Sequence, residues 1–220
     1  AKPAGIRLLE PGDLTMPAAN NLAKPSALPL AAIKALSAGG KSQPVLAVYD
    51  HGKGIFVLQL MGGGELTPET DGQLCLALDK LAGRNDLKVL ILQGSAETFL
   101  RGGREAHNRA LSSGLYKRLA NFPYPTIAEA RGDALGAGFL LALSCDFMAC
   151  SEQSVYGYTD PQSGLYADTG IREVLSRRVG PASADNFLLQ PKVSGSMLQD
   201  QGWQSVVMAA GDIAGHVRQL

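Results

Sequence analysis

Two glycine-rich segments of the chain have the residue pattern of an anion-binding site. One runs from Glu97 to Glu105 and the other from Arg131 to Leu140, and each reads as a strand end, a glycine turn and a helix start. The free backbone N–H groups at a helix N-terminus attract negative charge. Two such turns facing each other could hold one oxyanion between two N–H donors, which would stabilise an enolate on a thioester carbonyl. Helix ends and close helix packing explain the same glycines without any chemistry.

Strand and helix patterns alternate around these turns and must position them. This alternation predicts an α/β fold with much parallel pairing. The predicted elements are a hairpin around His51–Gly54, a helix starting at Thr67–Pro68, a strand over Lys88–Gly94, a polar helix over Arg104–Leu119, a strand over Pro125–Ala130, a buried helix over Leu135–Ser144, strands at Phe147–Cys150 and Val155–Tyr156, and three helices after Gly170 of which the last is capped by Ser194.

Composition excludes several classes of protein. Of the 220 residues 45% are hydrophobic and 18% are charged, which is typical of a globular domain. Lys and Arg number 20 and Asp and Glu number 20, so no net charge favours nucleic acid or an anionic membrane. The sequence shows no apolar run long enough to cross a bilayer and no signal-peptide core. Three cysteines without CxxC spacing argue against disulfides and zinc, and we expect a cytoplasmic protein with no metal.

The first part of the chain differs in texture from the rest. It is rich in Pro, Ala and Leu, and five prolines interrupt its runs before Gly40. We therefore divide the chain into residues 1–43, a linker or a surface-packed extension, and residues 44–220, the main domain.

From about Pro44 to Met208 the chain resembles the crotonase superfamily, the enoyl-CoA hydratase/isomerase family. The resemblance implies a spiral of ββα repeats, here with a shortened C-terminal helical region. Within the family, the chain looks most like the members that modify polyketide intermediates on acyl carrier protein. The matching stretches are Val89–Gly94, Phe99–Gly103, Pro125–Gly138, Cys145–Ala149, Ser154–Gly157, Gly164 and Val179–Gly180.

The resemblance assigns the two oxyanion N–H groups to Gly103 and Ala137. Ala137 stands where the family usually has glycine, a change that costs little if φ there is negative. Family hydratases carry two glutamates, and the corresponding positions are Leu140 and Asp160. Because leucine cannot transfer a proton, hydration by paired glutamates is not the expected reaction.

An acid pair remains for proton transfer. Asp160 and Asp168 are eight positions apart, as are the acids of family isomerases that shift double bonds. A carboxylate in an apolar pocket can both remove and return a proton, because desolvation raises its pKa. Alternatively, Asp160 opens a turn before Pro161 and Asp168 caps a helix at Thr169.

Five further side chains are weaker candidates. His107 lies where some family decarboxylases have a polar catalytic group, but a solvated helix face is the simpler interpretation. Tyr156 and Tyr158 are possible pocket residues, and Tyr156 equally fits a core strand. Arg101 and Arg104 are possible contacts of a phosphopantetheine phosphate, or form a solvated basic rim.

The expected function is therefore chemistry on an unsaturated thioester carried by acyl carrier protein or coenzyme A. Double-bond isomerisation or decarboxylation fits the residues best, and no further cofactor is expected. The alternatives are an enoyl-thioester hydratase or dehydratase, and a catalytically inactive structural or docking module of a polyketide synthase. The resemblance implies a homo-oligomer, since family members form trimers through C-terminal helices, but we expect this chain to lack the equivalent of those helices after Trp203–Met208.

Overall fold

The computed structural model of the chain describes most of the domain that the sequence predicts. The described residues are 26–27, 45–61, 63–158, 169–190, 192–201, 203 and 206–219. Asp160, Asp168 and nearly all of residues 1–43 therefore lie outside the described residues.

Within these ranges the larger sheet has seven strands. They are β1 (Ser26–Ala27), β2 (Leu46–Asp50), β3 (Ile55–Leu60), β4 (Val89–Gln93), β6 (Thr126–Ala130), β8 (Phe147–Ser151) and β11 (Val206–Met208). The strands lie in that spatial order. Strands β1 to β3 pair antiparallel, and the pairs from β3 to β11 are parallel.

A smaller sheet carries the two glycine turns. Its described strands are β5 (Thr98–Gly102), β7 (Asp133–Gly136), β9 (Val155–Gly157) and β10 (Val193–Ser194). Their spatial order is β10, β9, β7, β5, and β5, β7 and β9 run parallel. The β10 strand pairs antiparallel with β9.

Eight helices complete the described part of the chain. They are α1 (Pro68–Ala82), α2 (Arg104–Ser113), α3 (Leu115–Ala120), α4 (Ala137–Leu143), α5 (Thr169–Val179), α6 (Pro181–Leu189), α7 (Gly195–Asp200) and α8 (Ala210–Val217). None of the helices in the described ranges combines the length and the apolar character needed to cross a membrane.

Local sequence signals determine several of these boundaries. The hairpin of β2 and β3 is confirmed, with Leu46 opposite Leu60 and Asp50 opposite Phe56. The start of α1 is also confirmed, because the Thr67 hydroxyl accepts a hydrogen bond from the Thr70 N–H at 3.1 Å.

Two predicted helices differ from the observed ones. The polar helix expected over 104–119 is interrupted at Gly114, whose φ of +73° is left-handed and ends α2. The buried helix expected over 135–144 begins only at Ala137, because the preceding residues through Gly136 form β7. An apolar run of this length does not distinguish a strand that turns into a helix from a helix alone.

Helix α4 lies in the middle of the main hydrophobic core. All seven of its residues are buried, and the Phe139 ring stacks on Phe187 and Trp203 at centroid distances of 5.6 and 6.2 Å. The guanidinium of Arg178 in α5 donates hydrogen bonds to the backbone carbonyls of residues 143, 145 and 146. The C-terminal end of α4 is thus capped by a charged side chain, which fixes the position of the whole helix.

The two faces of the large sheet belong to different cores. Leu58, Leu92 and Ala128 point into the main core, whereas the alternate residues Val57, Ile91 and Ile127 pack against α8. Strands with apolar residues on both faces are typical of a parallel sheet covered on both sides.

Gly72 offers a test of helix propensity in α1. It lies inside the helix, it is exposed, and a Cβ added there would meet no atom within 4 Å. We expect Gly72→Ala to stabilise the protein by about 0.5–1 kcal/mol, because alanine loses less backbone entropy in a helix. Urea unfolding measures this gain, and a destabilised variant would contradict it.

Candidate functional site

The two glycine turns lie side by side at one edge of the smaller sheet. Gly102, the last residue of β5, is the register partner of Gly136, the last residue of β7. Gly103 and Ala137 follow directly, so the first turns of α2 and α4 start next to each other. Neighbouring strands are about 4.8 Å apart, which places the backbone of both turns within reach of one small anion.

Glycine is required at this edge for steric reasons. Gly136 has a φ of +57° and a ψ of −124°, a conformation that side chains rarely allow. A Cβ on Gly102 would lie 2.9 Å from the Cβ of Ala137, and one on Gly138 would lie 2.1 Å from the carbonyl oxygen of Leu100. The two turns therefore pack closely against each other and against β5.

Gly103 and Ala137 have the backbone that N–H donation requires. Gly103 is the N-cap residue of α2 with a φ of −82°, and Ala137 is the first residue of α4. Among the described non-glycine residues only Lys53 has a positive φ. The φ of Ala137 is therefore negative, which is the condition under which alanine can replace glycine here at little cost. N–H groups at the start of a helix have no acceptor within that helix.

Tyr158 lies at the same edge of the smaller sheet as the two glycine turns. The β7–β9 register pairs Leu135 with Gly157, so Gly136 and Tyr158 each follow directly on a paired residue at the carboxyl edge. Tyr158 is 2% exposed. The small sheet thus brings this tyrosine next to the second glycine turn.

His107 connects Tyr158 to a second tyrosine. The His107 Nε2 and the Tyr158 hydroxyl are 3.3 Å apart, and Nδ1 and the Tyr116 hydroxyl are also 3.3 Å apart. The Tyr116 hydroxyl in turn donates to the carbonyl oxygen of Ala137 at 3.5 Å. His107 is 7% exposed, so the solvated helix face expected for it is wrong. The first turn of α2 directs it inward, next to the oxyanion turn.

Burial controls the protonation of this cluster. Desolvation, with smaller contributions from Tyr158 and Asp71, raises the pKa of Tyr116 well above its ordinary value. Tyr116 therefore remains a neutral phenol that can donate one proton. Sequence reasoning missed Tyr116, because only the break at Gly114 turns this residue toward His107.

Tyr156 is a core residue and not part of this cluster. Its side chain is fully buried, and its hydroxyl donates to Ala130 O at 2.7 Å and accepts from Ser151 N at 2.8 Å. Tyr156 is therefore a residue of a core strand, which was one of the two interpretations of its sequence position.

The two arginines of the first turn differ. Arg101 forms an ion pair with Asp133 at 3.1 Å, so the carboxylate of a neighbouring strand partly neutralises its charge. Arg104 is exposed at the start of α2. Leu140, at the position of the family's first glutamate, is 4% exposed and adds an apolar wall.

A buried acid outside the site shows how strand faces matter. Glu129 is 1% exposed. Its carboxylate accepts a hydrogen bond from the Gln93 amide at 2.6 Å and forms an ion pair with Arg131 at 3.0 Å. It alternates with Ala128 and Ala130 of the main core, so it points to the opposite face of the sheet. Its carboxylate therefore faces away from the glycine turns.

A groove of about 650 Å³ also lies on that outer face. Apolar strand residues line it, with Arg177 and Arg178 nearby. It contains none of the residues of the glycine turns or of the tyrosine–histidine cluster, and we assign it no part in the chemistry.

Comparison with known proteins points to one family. The family described as Enoyl-CoA hydratase/isomerase matches residues 64–220. The bovine enoyl-CoA hydratase domain-containing protein 2, mitochondrial, is 31% identical over 143 residues, which cover 59% of this chain and 48% of that protein. The chain spans about half the length of the curated relatives that it matches.

Solved structures share the fold. The ECH2 decarboxylase domain of CurF from Lyngbya majuscula superposes with a TM-score of 0.71 at 22% identity, covering 80% of this chain and 77% of that one. Enoyl-CoA hydratase from Bacillus anthracis superposes with a TM-score of 0.72 at 20% identity, covering 80% and 74%.

Proposed function

The chain belongs to the enoyl-CoA hydratase/isomerase family, and on that premise we propose that it acts on an unsaturated acyl thioester through an enolate. The oxyanion of this enolate would accept hydrogen bonds from the N–H groups of Gly103 and Ala137. The observation that carries the proposal is the register of Gly102 with Gly136, which sets both turns side by side. Both turns lie within the range matched by the family.

We propose double-bond isomerisation or decarboxylation as the reaction class. Hydration is disfavoured because Leu140, a buried apolar residue, replaces a proton-transferring glutamate. Decarboxylation needs only the oxyanion donors and a source of one proton. Two proteins with the same fold, the ECH2 decarboxylase domain of CurF and a member of a dehydratase/decarboxylase couple involved in polyketide β-branching, support a substrate held on the phosphopantetheine of an acyl carrier protein. Arg104, exposed at the first turn, is the proposed contact for its phosphate.

Asp168 and Asp160 are the proposed carboxylates of the site. An allylic shift removes a proton from one carbon and returns one to another, and a carboxyl group with a raised pKa suits either step. The proposal for both residues rests on sequence position.

We expect Asp168→Asn to lower turnover at least about a hundredfold, the usual scale of general acid–base catalysis. Asparagine has nearly the same shape but cannot take up a proton, so folding should change little. Steady-state rates together with urea unfolding test this. Lost stability with unchanged turnover of the folded protein would identify Asp168 as a helix cap.

The decisive experiment offers the chain synthetic enoyl- and glutaconyl-pantetheine thioesters and identifies the products by mass spectrometry. A shifted double bond or the loss of carbon dioxide supports the proposal. A hydrated product would instead assign hydratase chemistry. No turnover of any thioester would favour an inactive crotonase-fold module.

A further inference from the structure

We propose that Tyr158 and His107 form an acid–base pair that removes the α-proton of the thioester, with Tyr116 as the residue that positions His107. The inference rests on the proposed function and adds a proton-transfer group that the sequence alone did not reveal. It depends on two contacts between buried side chains, on a third from Tyr116 to the backbone carbonyl of Ala137, and on the place of Tyr158 at the sheet edge.

With a neutral His107, one arrangement of protons satisfies all three contacts. A carbonyl oxygen can only accept, so the single proton of Tyr116 points at Ala137 O. The Tyr116 oxygen must then accept from His107, which places the imidazole proton on Nδ1. The Nε2 atom of neutral His107 is consequently an acceptor, and Tyr158 donates to it.

This arrangement is that of an activated base. A hydroxyl that donates to an imidazole nitrogen can pass its proton on while it takes up another, provided that a third group orients the ring. Tyr116 is that third group. Because burial keeps it neutral, it always offers the same acceptor to Nδ1.

The position of Tyr158 matches the α-carbon. Tyr158 directly follows Gly157, the register partner of Leu135, and Ala137 N, the proposed oxyanion donor, lies two residues after Leu135. The carbon next to the thioester carbonyl lies one bond from the carbon that bears the oxyanion. A base at the edge of the adjacent strand therefore faces the acidic C–H bond.

The proton balance of the step is complete. The α C–H bond breaks, its electron pair enters the dienolate, and the proton bonds to the Tyr158 oxygen while the original hydroxyl proton moves to His107 Nε2. The carboxyl group proposed for Asp168 then protonates the γ-carbon, where the electron pair forms the new C–H bond. Water takes the extra proton from the imidazolium and returns one to the carboxylate.

Tyr158→Phe is the direct test, with Tyr156→Phe as its matched control. Both remove one hydroxyl from nearby positions of the same segment, but the hydroxyl of Tyr156 bonds to the backbone of Ala130 and Ser151 and makes no contact with His107 in the described structure. We expect Tyr158→Phe to lower kcat about a hundredfold with KM changed less than about threefold. Tyr156→Phe should lose stability while its folded fraction keeps the wild-type rate.

Hydrogen exchange separates this pair from Asp168. In D₂O, Asp168→Asn should still exchange the α-hydrogen of the thioester although isomerisation falls, because the pair is intact. Tyr158→Phe and His107→Gln should lose both, and the double variant should be no slower than either single one, as expected of residues that act as a unit. Exchange that survives in Tyr158→Phe would overturn the proposal and leave the proposed function standing.

The protonation of His107 can be read without any substrate. Nitrogen-15 NMR of the wild-type chain should show the Nδ1–H tautomer, and an Nε2–H tautomer would overturn the assignment. If the wild-type chain turns over no thioester, the proposed function fails, and this inference fails with it.

Discussion

Gly103→Pro should lower turnover by about a hundred- to a thousandfold, the usual cost of losing one oxyanion donor. Proline removes the backbone N–H and requires a φ near −65°, which is close to the −82° observed at Gly103. The N–H of Gly103 makes no hydrogen bond within α2, because Gly103 is the N-cap residue of that helix. Steady-state kinetics on the thioester that the wild type turns over provide the measurement.

Gly103→Ala is the matched control for this substitution. It adds a carbon atom but keeps the N–H and the negative φ. An equal loss of activity in both variants would mean that bulk at this turn, and not the missing donor, lowers the rate. A proline variant with full activity would remove Gly103 from the site.

Gly138→Ala should destabilise the protein by about 3 kcal/mol, at the upper end of the cost of overpacking a core. The new Cβ would lie 2.1 Å from Leu100 O and 2.3 Å from Leu100 C, and these are backbone atoms of β5 that cannot rotate away. Because α4 must then move from the sheet, the Ala137 N–H moves with it, and turnover should fall as well. Urea unfolding followed by circular dichroism measures the loss.

Gly72→Ala is the matched control, because it makes the same substitution in α1 at a position where the new Cβ has no atom within 4 Å. Opposite signs for the two variants are the expected result. A Gly138→Ala variant that loses less than about 1 kcal/mol would contradict the close contact between α4 and β5.

The glycine turns were predictable from sequence because each depends on a local rule. Gly136 needs a positive φ directly before the buried helix α4, and Gly138, the second residue of that helix, allows a close approach to β5. The ordered motifs also identify the fold, whose parallel strands align Gly102 with Gly136.

The tyrosine–histidine cluster was not predictable in the same way. His107 and Tyr116 lie on a segment whose polar pattern indicates one solvated helix, and only the left-handed Gly114 folds its second half back. Contacts between residues 107 and 158 depend on the packing of α2 against the small sheet, and no local pattern encodes them. Similarly, strand alternation alone does not say which face of the large sheet α8 covers.

The aromatic stack on α4 has an optical consequence. Trp203 is the single tryptophan of the chain, it is 5% exposed, and its ring lies 6.2 Å from that of Phe139. An indole shielded from water emits at shorter wavelengths than one in water, and the tryptophan fluorescence of the native protein comes from one site beside the helix that begins with Ala137. The emission of Trp203 therefore reports, without any added label, whether that helix is packed in its native position.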